Sequence, residues 1–322
     1  MNKNFNTLMF FYSVILGVTI SLSANNWLMI WIGLEISMMS IMPMISNKNF
    51  LSSEASVKYF VIQSISSSMM MLGMLLLLTN QGIEYQMILT SSMMLKMGIA
   101  PFHNWILEMI EGLELTVMFL LLTLLKMGPL NMLSYLMFKN NLYVIISLVI
   151  GSMFGLNQNS LRKMLCYSSI FNMGFILSAI SLNSIWWLYL TFYSLMLAMV
   201  FFLMKKMGVS YINQMCLNEN KKSLKMNIWL AMLSMGGMPP LLGFMLKLMI
   251  IQTMMMKMEF LISMLMILSS TLVMFYYMRM SFISILLSSS MIKWKMFYTE
   301  KSSNWIMLVN LTFLPLVLTL KT

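Results

Sequence analysis

Runs of about twenty predominantly apolar residues follow one another along this chain with only short polar gaps between them, and each is long enough to cross a bilayer's ~30 Å hydrocarbon core as a helix. A bilayer core offers no water to unpaired backbone groups, so helices that satisfy their own hydrogen bonds are the natural solution. Composition closes off the soluble alternative: 60% of the 322 residues are hydrophobic and 9% charged, against roughly 45–50% and 25% in soluble domains. The reading is an all-α polytopic membrane protein in which residues 1–322 form a single membrane domain.

Apolar runs bounded by polar or Gly/Pro punctuation predict about eleven spans. They fall near 5–24, 26–46, 55–79, 84–107, 114–137, 141–157, 160–182, 184–206, 224–251, 258–286 and 304–320.

Lys and Arg number 20 against nine acidic residues, all Glu. In a soluble protein that balance points to nucleic acid; here the positive residues sit mostly in loops, where they orient helices. Twelve of them (Lys3, Lys48, Arg162, Lys163, Lys205, Lys206, Lys221, Lys222, Lys225, Lys293, Lys295 and Lys301) fall on the N-terminal side, against Lys139, Lys257 and Lys321 opposite. A miscounted span would have scrambled that bias, so the split supports eleven helices with the N-terminus on the positive face. The start, MNKNFNTLMFFYSVILGV, lacks the Arg- and Ser-rich amphipathic character of a transit peptide, which leads us to expect synthesis in the compartment where the protein works. The 46 methionines substitute cheaply for Leu and Ile at lipid-facing positions and have the look of an AT-rich organellar genome. Cys166 and Cys216 have neither metal-ligand spacing nor a disulfide framework and read as packing residues.

Two spans are interrupted by proline after glycine: KMGIAPFHNW at Pro101, and SMGGMPPLLGF at Pro239 and Pro240. Proline removes a backbone donor and clashes with the preceding turn, and in lipid such breaks persist where protein buries them or water lines them. Paired interrupted segments point to a transport site built from structural repeats. The spacing of the two breaks suits a five-helix unit duplicated once.

Ionisable residues inside these spans are costly and therefore informative. Glu35 lies mid-span without another charge in its helix, and leaving a carboxylate there costs about 2.5–3.5 kcal/mol on insertion scales. Its expected partner is Lys96, in the first half of the helix broken at Pro101. Burial disfavours the ammonium and a neighbouring carboxylate favours it, so their separation could switch Lys96 between charged and neutral. Lys126 lies mid-span beside Gly128 and Pro129, and Lys247 follows the second break; both are too deep to snorkel easily. His103, the single histidine, lies two residues past Pro101, where its imidazole could shuttle protons or be a satisfied core residue. Together these form the kind of relay found in pumps. Lys58 and Glu54, four apart, read as a surface pair, Arg279 as an interface anchor or relay end, and Gly151 with Gly155 as a weak packing motif. No phosphate-binding loop, iron–sulfur Cys cluster, haem His pair or dinucleotide fingerprint is found, so no redox or ATP chemistry is expected of the chain itself.

The segments WIGLEISMMSIMPMI, SSEASVKYF, LKMGIAPFHNW, FGLNQNSLRKMLCYSSI and SMGGMPPLLGF, in that order and spacing, resemble the mitochondrial NADH dehydrogenase subunit 2 family, antiporter-like membrane subunits of respiratory complex I. The likeness covers nearly the whole chain, and the Met-rich composition resembles an invertebrate, arthropod-type member. The resemblance implies two inverted five-helix repeats, approximately 1–139 and 140–286, each with a broken helix, followed by a C-terminal helix at 304–320. It matches Glu35 and Lys96 to the family's glutamate–lysine pair, Lys126 to its connecting lysine and Lys247 to the lysine at its second broken helix. Asn104, Leu125 and Leu246 depart from the pattern, where an aromatic residue, Gln and Pro are usual.

The function so implied is that of a core membrane subunit of proton-pumping NADH:ubiquinone oxidoreductase, with a buried Glu/Lys proton-transfer chain and no redox centre of its own. NADH, FMN, iron–sulfur clusters and ubiquinone are then expected in other subunits. Partners would be other core and accessory subunits of the membrane arm and lipids such as cardiolipin, with no nucleic acid. The location would be the mitochondrial inner membrane, with the N-terminus on the matrix side. Two other readings stay open: a subunit of a cation/proton antiporter, and a membrane scaffold whose buried charges only lock helices together.

Overall fold

The computed structural model describes residues 5–46, 49–78, 82–136, 141–180, 185–214 and 222–288. Thirteen α-helices run through them: α1 Phe5–Ser23, α2 Trp27–Ile45, α3 Phe50–Leu78, α4 Gly82–Met97, α5 Asn104–Met109, α6 Leu115–Leu122, α7 Leu124–Tyr135, α8 Asn141–Leu156, α9 Leu161–Ile180, α10 Ile185–Met207, α11 Lys222–Gly236, α12 Leu242–Met256 and α13 Phe260–Ser288. A 3-10 turn, Ile110–Gly112, follows α5. Seven spans among the described residues are long and apolar enough to cross a membrane, with Leu115–Tyr135 counted as one. Of the remaining expected spans, 141–157 is the shorter helix α8, and 84–107 and 224–251 are the broken pairs α4/α5 and α11/α12. The expected helix at 304–320, together with Lys3, Lys48, Lys139, Cys216, Lys221, Lys293, Lys295, Lys301 and Lys321, lies outside the described residues.

The helices gather into two compact units, Met1–Tyr143 and Val144–Thr322. In the first, α7 packs against α1, α2 and α4, which puts Lys126 at its centre. The α1–α2 contact is set by small residues: a Cβ on Gly17 would lie 2.7 Å from the Ser37 amide nitrogen, and one on Gly33 2.7 Å from that of Ser21. The two backbones therefore touch at Gly17/Ser21 and Gly33/Ser37, a small-xxx-small crossing in the turns that flank Glu35. In the second unit α9 is the most enclosed helix, 89% of its apolar window being buried. Gly151 of α8 meets its backbone, a Cβ there falling 2.6 Å from the Phe171 amide nitrogen. The bonds Leu161 N–H to Ser210 O (3.0 Å) and Ile212 N–H to Asn159 O (3.2 Å) tie the α8–α9 connection to the segment after α10. Arg162, Lys163, Lys205 and Lys206 consequently share one end of this unit.

Both breaks end in the same cap. In α4, Gly98 N–H reaches Leu95 O and Ile99 N–H reaches Met94 O, each at 3.1 Å. In α11, Gly237 N–H reaches Leu233 O (3.0 Å) and Ser234 O (3.2 Å), and Met238 N–H reaches Leu233 O (3.2 Å). These crossed bonds are Schellman motifs, which need a left-handed residue that only glycine adopts cheaply; Gly98 has φ +62° and Gly237 φ +89°. The prolines downstream keep the helix from resuming at once.

Three boundaries differ from expectation, one of them the end of α12 at Met256 and not 251, where the apolar run continues through three methionines. Helix α3 begins at Phe50, not 55, because the N–H groups of Ser52 and Ser53 bond to Asn49 O and Lys58 pairs with Glu54 at 2.8 Å. These contacts carry the helix past the end of its apolar run. The expected continuous span at 114–137 is interrupted at Thr123 (φ −121°, ψ −78°). Pro129 cannot donate to the carbonyl of Leu125 and its ring crowds that carbonyl, while Thr123 Oγ1 donates back to Phe119 O at 2.7 Å, a bond that bends helices.

Candidate functional site

In the first unit, Lys96 sits one residue before the last residue of α4, so the break directly follows it. Its backbone carbonyl would be one of the orphans at a helix C-terminus, and Gln63 of α3 satisfies it, Nε2 donating at 3.2 Å. The ammonium is thereby left to reach across to α2, where Nζ donates to Glu35 Oε1 at 3.2 Å. The side chains are 4% and 20% exposed respectively, so the carboxylate retains limited access to its surroundings while the lysine has almost none. Charge-assisted bonds of this kind are worth more in a low-dielectric interior than in water. The sequence-expected pair is therefore joined.

Lys96 and Lys126 share a cavity. Leu34, Ser37, Met38, Tyr59, Gln63, Met97, Trp105, Leu121, Leu125 and Pro129 complete its wall, and at about 20 Å³ it can hold about one water molecule. Lys126 is 3% exposed and stands in the first turn of α7, just after the irregularity at Thr123, its N–H bonded to Thr123 O at 3.2 Å. Leu125, where the resemblance leads one to expect Gln, forms part of the apolar wall. His103 lies in the same break as Pro101, its Nδ1 3.1 Å from Pro101 O. A carbonyl only accepts, so Nδ1 carries the hydrogen of this contact. The imidazole belongs to the break, and it is not among the residues that line the cavity.

Lys247 in the second unit, 5% exposed, is held differently. It projects from α12 back onto the end of α11, where Nζ donates to Gly236 O at 2.7 Å and Met235 O at 3.2 Å and lies 5.1 Å from the centroid of the Phe171 ring. Carbonyls at a helix C-terminus carry partial negative charge and an aromatic face attracts a cation. The second break thus supplies its own lysine with backbone oxygens, whereas the first lends its carbonyl to Gln63 and its lysine to a carboxylate.

Other charged residues have structural partners. Lys58 bonds both Glu54 and Glu108, at 2.8 Å each, which ties α3 to α5 beyond the break; the second acid was not evident from spacing. Arg279, expected as an anchor or relay end, spans from α13 to the end of α8, Nη1 to Leu156 O at 2.6 Å and Nη2 to Gln158 O at 3.0 Å. Cys166 is buried and forms no disulfide among the described residues. Among the described residues no group of three His, Cys, Asp or Glu is arranged to hold a metal ion. Sequence reasoning missed Gln63 and Tyr59; the signal available was a polar residue and a phenol on the helix α3 that follows Glu35.

A family model described as NADH:quinone oxidoreductase/Mrp antiporter, TM, matches residues 24–275. NADH-ubiquinone oxidoreductase chain 2 of Locusta migratoria is 35% identical over 91% of this chain and 90% of its own length. The same chain of Anopheles gambiae is 33% identical over 91% and 89%. A chain of respiratory complex I from Thermus thermophilus, solved with bound aureothin, superposes with a TM-score of 0.84 at 20% identity, covering 97% of this chain and 78% of that one.

Proposed function

Since the chain belongs to the NADH-ubiquinone oxidoreductase chain 2 family of NADH:quinone oxidoreductase/Mrp antiporter membrane subunits, we propose that it moves protons in complex I through Glu35, Lys96, Lys126 and Lys247. The chain is a core, multi-pass membrane subunit of a proton-translocating NADH:quinone oxidoreductase and works alongside the other subunits of that complex. The finer assignments are ours: the mitochondrial inner membrane with the N-terminus on the matrix side, bound lipids such as cardiolipin, and NADH, FMN, iron–sulfur clusters and ubiquinone held by other subunits. We also read the two broken helices as the centres of two inverted repeats, about 1–139 and 140–286, a reading that the matching Schellman caps support.

One observation carries the relay: Lys96, paired with Glu35 at 3.2 Å, opens onto the same small cavity as Lys126. A proton on Lys96 is held while Glu35 stays close, and weakening that pair favours its release. Water in the cavity can then pass it toward Lys126. Lys247 is the corresponding station of the second unit, its ammonium donating to the carbonyls of Met235 and Gly236. His103, at the first break, is a candidate for exchange between the relay and its surroundings.

The test is Lys96→Met, with proton translocation and NADH:quinone turnover measured in membranes where assembly is checked in the same preparation. Joint loss of turnover and pumping in an assembled complex supports the relay. Normal values for both refute the role given to Lys96 and favour a scaffold.

A further inference from the structure

Near the break in α11, the second unit buries a set of phenols that the relay above does not use. Tyr193 of α10 and Tyr276 and Tyr277 of α13 are 1%, 0% and 0% exposed. The Tyr277 hydroxyl lies beside those of Ser168 and Tyr276, and the Tyr193 hydroxyl beside the Asn172 amide. None of the three phenols completes a hydrogen bond of good geometry among the described residues. Tyr189 differs, donating to Asn172 Oδ1 at 2.8 Å.

This cluster adjoins Lys247. Tyr277 packs on Gly236, a Cβ there lying 3.4 Å from the Tyr277 ring, and Gly236 O is the closer acceptor of the Lys247 ammonium. Phe171, whose ring the ammonium faces, stands on α9 between Ser168 and Asn172, so one face of α9 serves both. Burying a hydroxyl without a partner costs free energy, and a phenylalanine would pack the same volume at no such cost. Polar groups that approach without bonding directly are the usual frame for a bridging water.

We propose that Tyr193, Tyr276 and Tyr277, with Ser168 and Asn172, form a water-binding site that exchanges protons with Lys247. The inference rests on Lys247 being a proton carrier. In each transfer the ammonium N–H bond breaks as a water oxygen gains the proton; that water gives up another proton to a phenolic oxygen, which releases its own to a second water of the site. One proton moves, every phenol ends neutral, and nothing is oxidised or reduced.

Tyr193→Phe, Tyr277→Phe and the double variant, each in the assembled complex beside Lys247→Met, test this. Expected are a drop in NADH:quinone turnover of at least fivefold in each single variant, a further drop in the double, and an altered solvent deuterium isotope effect. NADH oxidation by an artificial electron acceptor should be unchanged. Phe variants with wild-type turnover, isotope effect and proton-to-electron ratio, while Lys247→Met loses pumping, would overturn the cluster alone and make these phenols packing residues. Normal pumping in Lys247→Met would overturn the Lys247 assignment and this inference with it. If the double variant fails to assemble, the single variants decide.

Discussion

Replacing Glu35 by Gln preserves the side chain's length and one acceptor oxygen but removes the charge that Lys96 faces at 3.2 Å. With an effective dielectric constant of about 20, two unit charges at that separation attract by about 5 kcal/mol. Truncating one member of a buried pair costs about 3–5 kcal/mol, since the other charge is left without compensation. Every ~1.4 kcal/mol is a factor of ten in a rate, so a cycle that must form the Lys96 ammonium slows by about two to three and a half orders of magnitude. Glu35→Asp shortens the side chain by one carbon–carbon bond, about 1.5 Å. If nothing else moves, the attraction falls to about 3.5 kcal/mol, and turnover should drop about tenfold. The assay is NADH:quinone turnover with proton translocation in membranes containing equal amounts of assembled complex. The order wild type, Asp, Gln is the expected result. Turnover of Glu35→Gln within twofold of wild type, at full assembly, would refute the argument that this charge controls Lys96.

Lys247→Met leaves the carbonyls of Met235 and Gly236 without their donor, at about 1–3 kcal/mol for a buried unsatisfied group, so a lowered melting temperature of the solubilised complex should accompany lost pumping. Gly33→Ala places a Cβ 2.7 Å from the Ser21 amide nitrogen and 2.8 Å from Gly17 O; backbone cannot yield as a side chain can, and overpacking of about 1–3 kcal/mol should lower the yield of complex on native gels. Gly208→Ala is the control: its φ is +66° with nothing within 4 Å of the new Cβ, so left-handed strain of about 1 kcal/mol is the whole cost and yield should stay near normal. Arg279→Lys replaces a fork whose Nη1 and Nη2 each reach a separate carbonyl with one nitrogen on a shorter, unforked end, and we expect loss of about 1 kcal/mol, read as lower thermal stability with the proton-to-electron ratio unchanged.

Most of the architecture was readable from the chain because it depends on properties local to each segment. Apolar length dictates whether a segment can span, and the expected spans that fall on described residues agree with the helices to within a few residues except at Phe50, Thr123 and Met256. Both broken helices were visible in advance, since a left-handed glycine and a proline act on their own turn. Glu35, Lys96, Lys126 and Lys247 stood out because the cost of a charge in an apolar run follows from the run alone, and Glu35 with Lys96 could be matched by charge balance. Tertiary structure decided which partners these groups reach. Nothing in the sequence marks the carbonyls of Met235 and Gly236 as the acceptors of Lys247, because every residue carries a carbonyl and only the end of a helix frees it. Nor does it mark Gln63 as the cap on Lys96, the shared cavity with Lys126, or the phenol cluster whose Tyr277 packs on Gly236. Those arrangements join residues far apart in the chain, and hydrophobic burial, which is non-directional, says that such residues lie inside without saying beside what.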